Sequence, residues 1–308
     1  MNDKERQRQT EARTFVRSAI SRRAFLKKLW KSALGVAIAG TGAFYYSFDL
    51  ETTWIDVIKL NVSLHRLEPD FGGYRIVHIT DLHLDDAIEP EYLARIVRLV
   101  NNQRPDLIAF TGDFVTMAPE RFASDLVSVL SRLEARDGTV TVLGNHDHLA
   151  GSEVVSAAVQ EGGAINLCNE VHTLRRSGSC LHVCGVDDVW EGRPHLGRVL
   201  HRLPNRGAAI LLVHEPDFAD ASAASRRLDL QLSGHSHGGQ VRLPLLGAPV
   251  LPRYAKKYPM GPYRIRDMLL YTNRGLGMLP PRFRFLCRPE ITVLDLNPAR
   301  GHATMGLR

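Results

Sequence analysis

Cysteine is scarce in this sequence, with four in 308 residues: Cys168, Cys180, Cys184 and Cys287. They are too few and too scattered for a disulfide framework, and no C-x-x-C pair supports a zinc ribbon or a redox couple. Cys180 and Cys184 stand close enough to pair, but buried free thiols are the reading adopted. Long apolar runs are lacking too. The N-terminal one, Ala33 to Phe48, covers about 16 residues, against roughly 20 for a spanning helix. There is no internal repeat and no low-complexity linker, so residues 55–297 read as one domain. Finally, the body lacks an excess of charge. The net charge is +6, yet residues 1–31 alone hold ten Lys/Arg against Asp3, Glu5 and Glu11, leaving 29 basic and 30 acidic residues elsewhere. Nucleic acid is therefore not an expected partner, because its recognition draws heavily on Lys/Arg contacts to phosphate.

At 44% hydrophobic and 23% charged, the chain has ordinary globular composition. Three regions are expected: a basic tail over 1–31, an apolar signal or anchor segment over 32–50, and a globular domain over 51–308. The string Ser21-Arg22-Arg23-Ala24-Phe25-Leu26-Lys27 precedes a Gly/Ala-rich apolar stretch. It resembles a bacterial twin-arginine export signal, and an ordinary signal anchor is the alternative. Both readings hold the basic flank in the cytoplasm and tether the chain to a membrane, with Tyr45, Tyr46 and Trp54 as interfacial anchors. They place the domain outside the cytoplasm, in the periplasm or on the outer face of the inner membrane. The first reading implies the twin-arginine machinery as a partner. Whether Thr41-Gly42-Ala43 is a cleavage site stays open.

From Tyr74 onward, short apolar runs alternate with helical patterns. Strands are expected over 74–80, 106–110, 139–143, 181–186, 208–213, 228–232, 269–272 and 291–296, with helices over 90–102, 123–135 and 153–161. This is α/β organisation, with mixed sheets and helices on the outer faces.

Five short motifs follow these strands in order: Asp81-Leu82-His83, Gly112-Asp113, Gly144-Asn145-His146-Asp147, His214, and Gly234-His235-Ser236-His237. Five of the thirteen histidines fall inside the series. Asp81 and His83, two apart, can face one ion together. The Gly-started turn at 234 can aim two imidazoles inward or divide them between two ions, and Gly112, Gly144 and Gly234 let backbone approach a crowded centre. Such nitrogen and oxygen ligands suit Zn, Mn or Fe better than Ca or Cu(I). His148 lies outside the series and reads at least as readily as a surface residue.

The order D-x-H, G-D, G-N-H-D, H, G-H-x-H resembles the calcineurin-like metallophosphoesterase superfamily. The resemblance implies a four-layer β-sandwich of mixed sheets flanked by helices, with two divalent metals at the strand ends. Carried over, Asp81, His83, Asp113 and His237 hold one ion, and Asp113, Asn145, His214 and His235 hold the other. His146 matches the catalytic histidine, with a structural supporting role as its alternative. Two divalent ions against two carboxylates and a bridging hydroxide leave about one positive charge to attract a phosphoryl group, and Asp at position 145 would cancel it. The activity implied is phosphoester hydrolysis by a metal-bridging hydroxide. A catalytically inert metal-binding scaffold at the membrane is the alternative from another class.

Gly112-Asp113-Phe114-Val115-Thr116 lacks the Asp and Arg that follow G-D in protein Ser/Thr phosphatases, so no carboxylate is assigned to orient His146. Residues 238–244, 273–277 and 287–290 resemble a bacterial branch with twin-arginine or transmembrane N-termini. That branch is associated with phosphodiester or pyrophosphate hydrolysis, including cleavage of UDP-2,3-diacylglucosamine in lipid A biosynthesis. A lipid-linked substrate has some support in the apolar, Pro-rich stretch 243–252 and in Leu279-Pro280-Pro281-Arg282-Phe283-Arg284-Phe285, where aromatics and arginines interleave. Such loops suit a lipid headgroup surface. Otherwise they cover the core with their arginines solvated. Arg274 is a candidate to fork onto a substrate phosphate.

Overall fold

Strands buried on both faces organise the chain from Ser47 onward. The computed structural model describes residues 22–299 and 301–307. In chain order the strands are β1 (Asp56–Leu64), β2 (Tyr74–Ile79), β3 (Leu107–Thr111), β4 (Thr139–Val142), β5 (Ile165–Asn166), β6 (Val171–Arg176) and β7 (Ser179–Gly185). They continue with β8 (Ala208–Leu212), β9 (Leu230–Ser233), β10 (Gly261–Ile265), β11 (Met268–Thr272), β12 (Glu290–Pro298) and β13 (Thr304–Leu307). One sheet runs β13-β1-β12-β2-β3-β4-β5 and the other β10-β11-β9-β8-β7-β6. Both are mixed. β2, β3, β4 and β5 pair in parallel while β2 and β12 are antiparallel, and β7, β8, β9 and β11 are parallel between antiparallel edges.

The twofold alternation of a strand explains the layering. Ile76, Leu107, Ala109, Val140 and Val142 of the first sheet meet Leu181, Val183, Ile210, Leu212 and Leu232 of the second in one core. The opposite faces, Val77, Ile79, Ile108 and Phe110, lie under α2 (Pro90–Asn101), α3 (Pro119–Ser131) and α4 (Asn145–Glu161), which follow α1 (Arg22–Tyr45). Ala209 and Leu211 likewise lie under α5 (Leu196–Arg202) and α6 (Ala219–Ala224). Two mixed sheets thus face one another with helices outside both, as expected. Such doubly covered strands read as unbroken apolar runs, which is why β2, β3, β4 and β8 were visible in the sequence. The partly exposed β1, β5, β6, β10 and β13 were not. α4 starts eight residues before the periodicity at Glu153, because Gly151 (φ 141°) interrupts it and its first turns belong to the site.

Ser47–Arg308 forms one compact unit, and the chain before it belongs to another. In the latter, α1 runs for 24 residues, but no helix among the described residues is long and apolar enough to cross a membrane. The expected membrane segment is corrected to that extent. Lys27, Lys28 and Lys31 occupy the first half of α1, and Ala33 to Tyr45 rises only about 20 Å against a hydrocarbon core of roughly 30 Å. The basic tail over 1–21, with Ser21 of the export string, lies outside the described residues.

Candidate metal centre

The carboxyl ends of β2, β3 and β4 in one sheet and of β8 and β9 in the other carry the five motifs, the place where open α/β sheets present ligands. Beyond the strands, the loops pair with each other. Asp81 N donates to Gly112 O (3.0 Å), His83 N to Asp113 O (3.0 Å) and Gly234 N to His214 O (3.0 Å). The local backbone is strained to do this. Asp81 (φ 50°), His83 (51°), Asp113 (56°), His235 (65°) and His237 (48°) are all left-handed. Each such residue costs about 1–3 kcal/mol. One buried aliphatic side chain returns roughly 1.5–3 kcal/mol, so the packed strands beneath can hold all five in place. The glycines are needed as expected: a Cβ on Gly144 would overlap Asp113 Oδ1, and one on Gly234 would overlap Thr80 Oγ1 and Asp81 Oδ2.

The motif residues converge. Asp113 Oδ2 lies 3.1 Å from His214 Nε2 and 3.4 Å from His83 Nε2, and Asp81 Oδ1 lies 3.4 Å from His237 Nε2. His83 Nε2 and His237 Nε2 are 3.1 Å apart, and His235 Nδ1 and His214 Nε2 3.2 Å. Three groups, Asp81–His83–His237, Asp113–His214–His235 and His83–Asp113–His146, each bring one donor atom per residue within 4.8 Å of the others. All but His146, which is half-buried, are buried.

The donor chemistry fits divalent metal. His214 Nδ1 lies 2.6 Å from Thr111 O and His235 Nε2 lies 2.8 Å from Arg253 O. Each carbonyl takes an N–H and turns the other nitrogen's lone pair inward, as metal-bound histidines are oriented. Asn145 Oδ1 and His237 Nδ1 are buried with no hydrogen-bond partner among the described residues, and an ion beside Asn145 would satisfy its orphaned oxygen. Burial pushes His83 and His235 down to about 3, keeping both neutral, and lifts Asp81 to about 6. Burial also disfavours charge on His214, but Asp113 and Asp81 outweigh it and raise its pKa well above the ordinary value. Asp113, though buried, is held well below the usual carboxylate range by the charge on His214.

His146 donates its backbone N–H to Asp113 Oδ1 (2.9 Å), and its Nδ1 lies 3.3 Å from Thr116 O. A carbonyl, not a carboxylate, therefore orients the ring. Asp147 clamps the loop: its carboxylate accepts from Asp113 N (2.8 Å), Phe114 N (2.8 Å), Val115 N (3.3 Å) and Gly144 N (3.0 Å). His148 is not a surface residue, since its side chain is buried with Nε2 2.7 Å from Asp187 Oδ1. Arg274 is likewise taken up, by Glu290 (2.5 Å) and Asp56 (3.3 Å), and does not line the cleft over the site.

That cleft holds about 540 Å³. Asp113, Asn145, His146, His235 and His237 form one end, and Val241, Pro249, Val250, Leu279, Pro281 and Phe283 an apolar wall. Trp190 enters edge-on to His235, with its backbone N–H donated to the buried Glu215 (3.0 Å). Trp190, Thr116 and Glu215 carry no motif and escaped the sequence reading. The solvated reading of the 279–285 arginines holds for Arg282, which is exposed and paired with Asp85, and is corrected for Arg284, which is fully buried.

The calcineurin-like phosphoesterase family model matches residues 74–239. The uncharacterized metallophosphoesterase YkuE of Bacillus subtilis is 36% identical over 281 residues, covering 90% of this chain and 98% of its own. Phosphodiesterase YaeI of Escherichia coli is 31% identical over 287 residues, with coverages of 90% and 99%. UDP-2,3-diacylglucosamine pyrophosphatase LpxG of Chlamydia muridarum is 27% identical over 326 residues, with coverages of 85% and 95%. The chain belongs to the calcineurin-like phosphoesterase family and is a metal-dependent phosphoester hydrolase.

Proposed function

We propose that the enzyme cleaves phosphodiester or pyrophosphate bonds, in a small or lipid-linked substrate such as UDP-2,3-diacylglucosamine. Two divalent ions, of Mn, Zn or Fe, would be held by Asp81, His83, Asp113 and His237 and by Asp113, Asn145, His214 and His235. The observation that carries this is the position of Asp113, whose one carboxylate faces donors from both sheets. Bound ions there supply Lewis acidity and make hydroxide available near neutral pH. His146 is the catalytic residue in this reading. With Nδ1 on Thr116 O, its Nε2–H would donate a hydrogen bond to a phosphoryl oxygen or give its proton to the leaving oxygen as that oxygen's bond to phosphorus breaks. The apolar wall of the cleft supports a substrate with a lipid or aryl group, and the likeness to LpxG supports a lipid-linked one. Export and an extracytoplasmic location are proposed from the twin-arginine string alone. Against the inert-scaffold reading stand three buried or half-buried groups of His and Asp that could hold a metal ion.

The test uses the full chain, stripped of metal and reloaded separately with Mn, Zn and Fe. Substrates are bis-p-nitrophenyl phosphate, p-nitrophenyl phosphate and UDP-2,3-diacylglucosamine. His146→Ala is expected to lose about 10²–10⁴-fold in kcat with its metal content unchanged. Asp113→Asn should lose metal itself. Turnover that ignores metal, or that survives in His146→Ala, overturns the reading.

A further inference from the structure

We propose that the turn over 243–251 is a docking tip that enters an anionic lipid bilayer and sets the mouth of the cleft against the headgroups. The inference does not depend on which phosphoester is cleaved. Leu245 is 106% exposed, Leu246 80% and Val250 75%. These side chains are held in water by a closed turn: Leu243 N donates to Gly247 O (2.8 Å) and Gly247 N to Leu243 O (2.9 Å). The turn is seated on the site, because Gly239 comes so close that an added Cβ would overlap Ala248. Its base, through Pro249, Val250 and Pro252, lines the cleft.

Charge identifies the occupant. From Gly238 to Arg266 there is no acidic residue and there are six cations, although the chain beyond residue 31 is close to neutral. Lys257 is taken by Asp220 and Arg242 by the Gly238 carbonyl, and Asp217 accepts from the backbone of 256–258, whereas Arg253 and Lys256, two and five residues past the turn, are exposed. Leucines flanked by cations match the boundary between acyl chains and anionic headgroups. A second copy of this chain fits less well. An isologous interface needs a self-complementary patch, and a narrow convex turn of two protruding leucines offers none.

The experiment places a reporter tryptophan in the full chain at Leu245→Trp or, as a control, at Ile165→Trp on the edge strand β5. Each is mixed with phosphatidylcholine/phosphatidylglycerol vesicles, with and without bromine on the acyl chains. Position-specific quenching decides the matter, because the basic N-terminal region can bring the chain to vesicles by itself. The fluorescence added by Leu245→Trp is expected to shift to the blue and to be quenched by brominated lipid, while that of Ile165→Trp is not. High salt should weaken the effect. A Leu245→Asp/Leu246→Asp chain should keep its turnover of bis-p-nitrophenyl phosphate, since neither side chain lines the cleft. An unquenched Leu245→Trp, or equal quenching at both positions, overturns the proposal. So does self-association without lipid that the double substitution abolishes, which would assign the tip to a second copy.

Discussion

Asp147 sits beside the candidate catalytic histidine, yet it works on backbone. It accepts from four N–H groups and so ties the loop after β3 to the start of α4. A buried N–H left without an acceptor costs about 1–3 kcal/mol. Asp147→Ala is therefore expected to lower stability by roughly 3 kcal/mol or more in urea unfolding, with Asp147→Asn milder. A loss under about 1 kcal/mol would contradict the clamp. His78 sets a pH dependence. It is fully buried against Thr111 (2.9 Å), and burial pushes its pKa down to about 3. Between pH 6.5 and 3 the unfolded chain binds a proton that the folded chain refuses, so this contribution to stability falls as the pH falls. The loss between pH 7 and pH 5 is about 2 kcal/mol. Asp147, which burial lifts to about 7, has the opposite sign, so the comparison must be between parent and variant. His78→Gln should lose less stability over that interval, by about that amount, in paired urea titrations. Equal pH dependence in the two chains would rule the account out.

At the scale of elements, the site depends on how loops from distant segments meet. Arg284 is the clearest case. Its guanidinium donates to the carbonyls of Cys287, Arg274, Gly275 and Gly277, the last three on the segment that also binds Thr80 and Asp81 through the N–H groups of Leu276 and Gly277. Charged hydrogen bonds of this kind contribute about 1.5–3 kcal/mol each. Arg284→Met is expected to cost roughly 3 kcal/mol or more and to weaken metal retention through Asp81. Arg284→Lys should fall between, because an ammonium cannot span the same carbonyls. Melting temperature and metal content measured together would show it. A stable variant with full metal content would mean that the segment stands without this hub.

For the molecule as a whole, the candidate ligands come from both sheets, so a bound metal links the two halves of the sandwich. An ion at 1,000 times its Kd adds about 4 kcal/mol to folding stability. Chelation is expected to lower the melting temperature of the parent chain, readdition to restore it, and Asp113→Asn to respond to neither. A melting temperature indifferent to chelator would separate the cluster from metal. The order of the five motifs and the doubly buried strands β2, β3, β4 and β8 were legible in the sequence, since both are local patterns: ligands lie one or two residues apart, and apolar runs need no knowledge of their partners. The site's other parts were not local. Arg274 and Arg284 look alike in sequence, but Glu290 and Asp56 claim one and a ring of carbonyls buries the other. Thr116 orients His146 through a backbone carbonyl that every residue possesses, and Trp190 reaches the cleft on a loop whose backbone N–H Glu215 accepts. The sequence by itself determined the α/β class, the kind of ligand atoms and their order along the chain. Only the tertiary structure decided which charges are spent on structure and which side chains face the cleft, because a charged group's role depends on neighbours that folding brings from far along the chain.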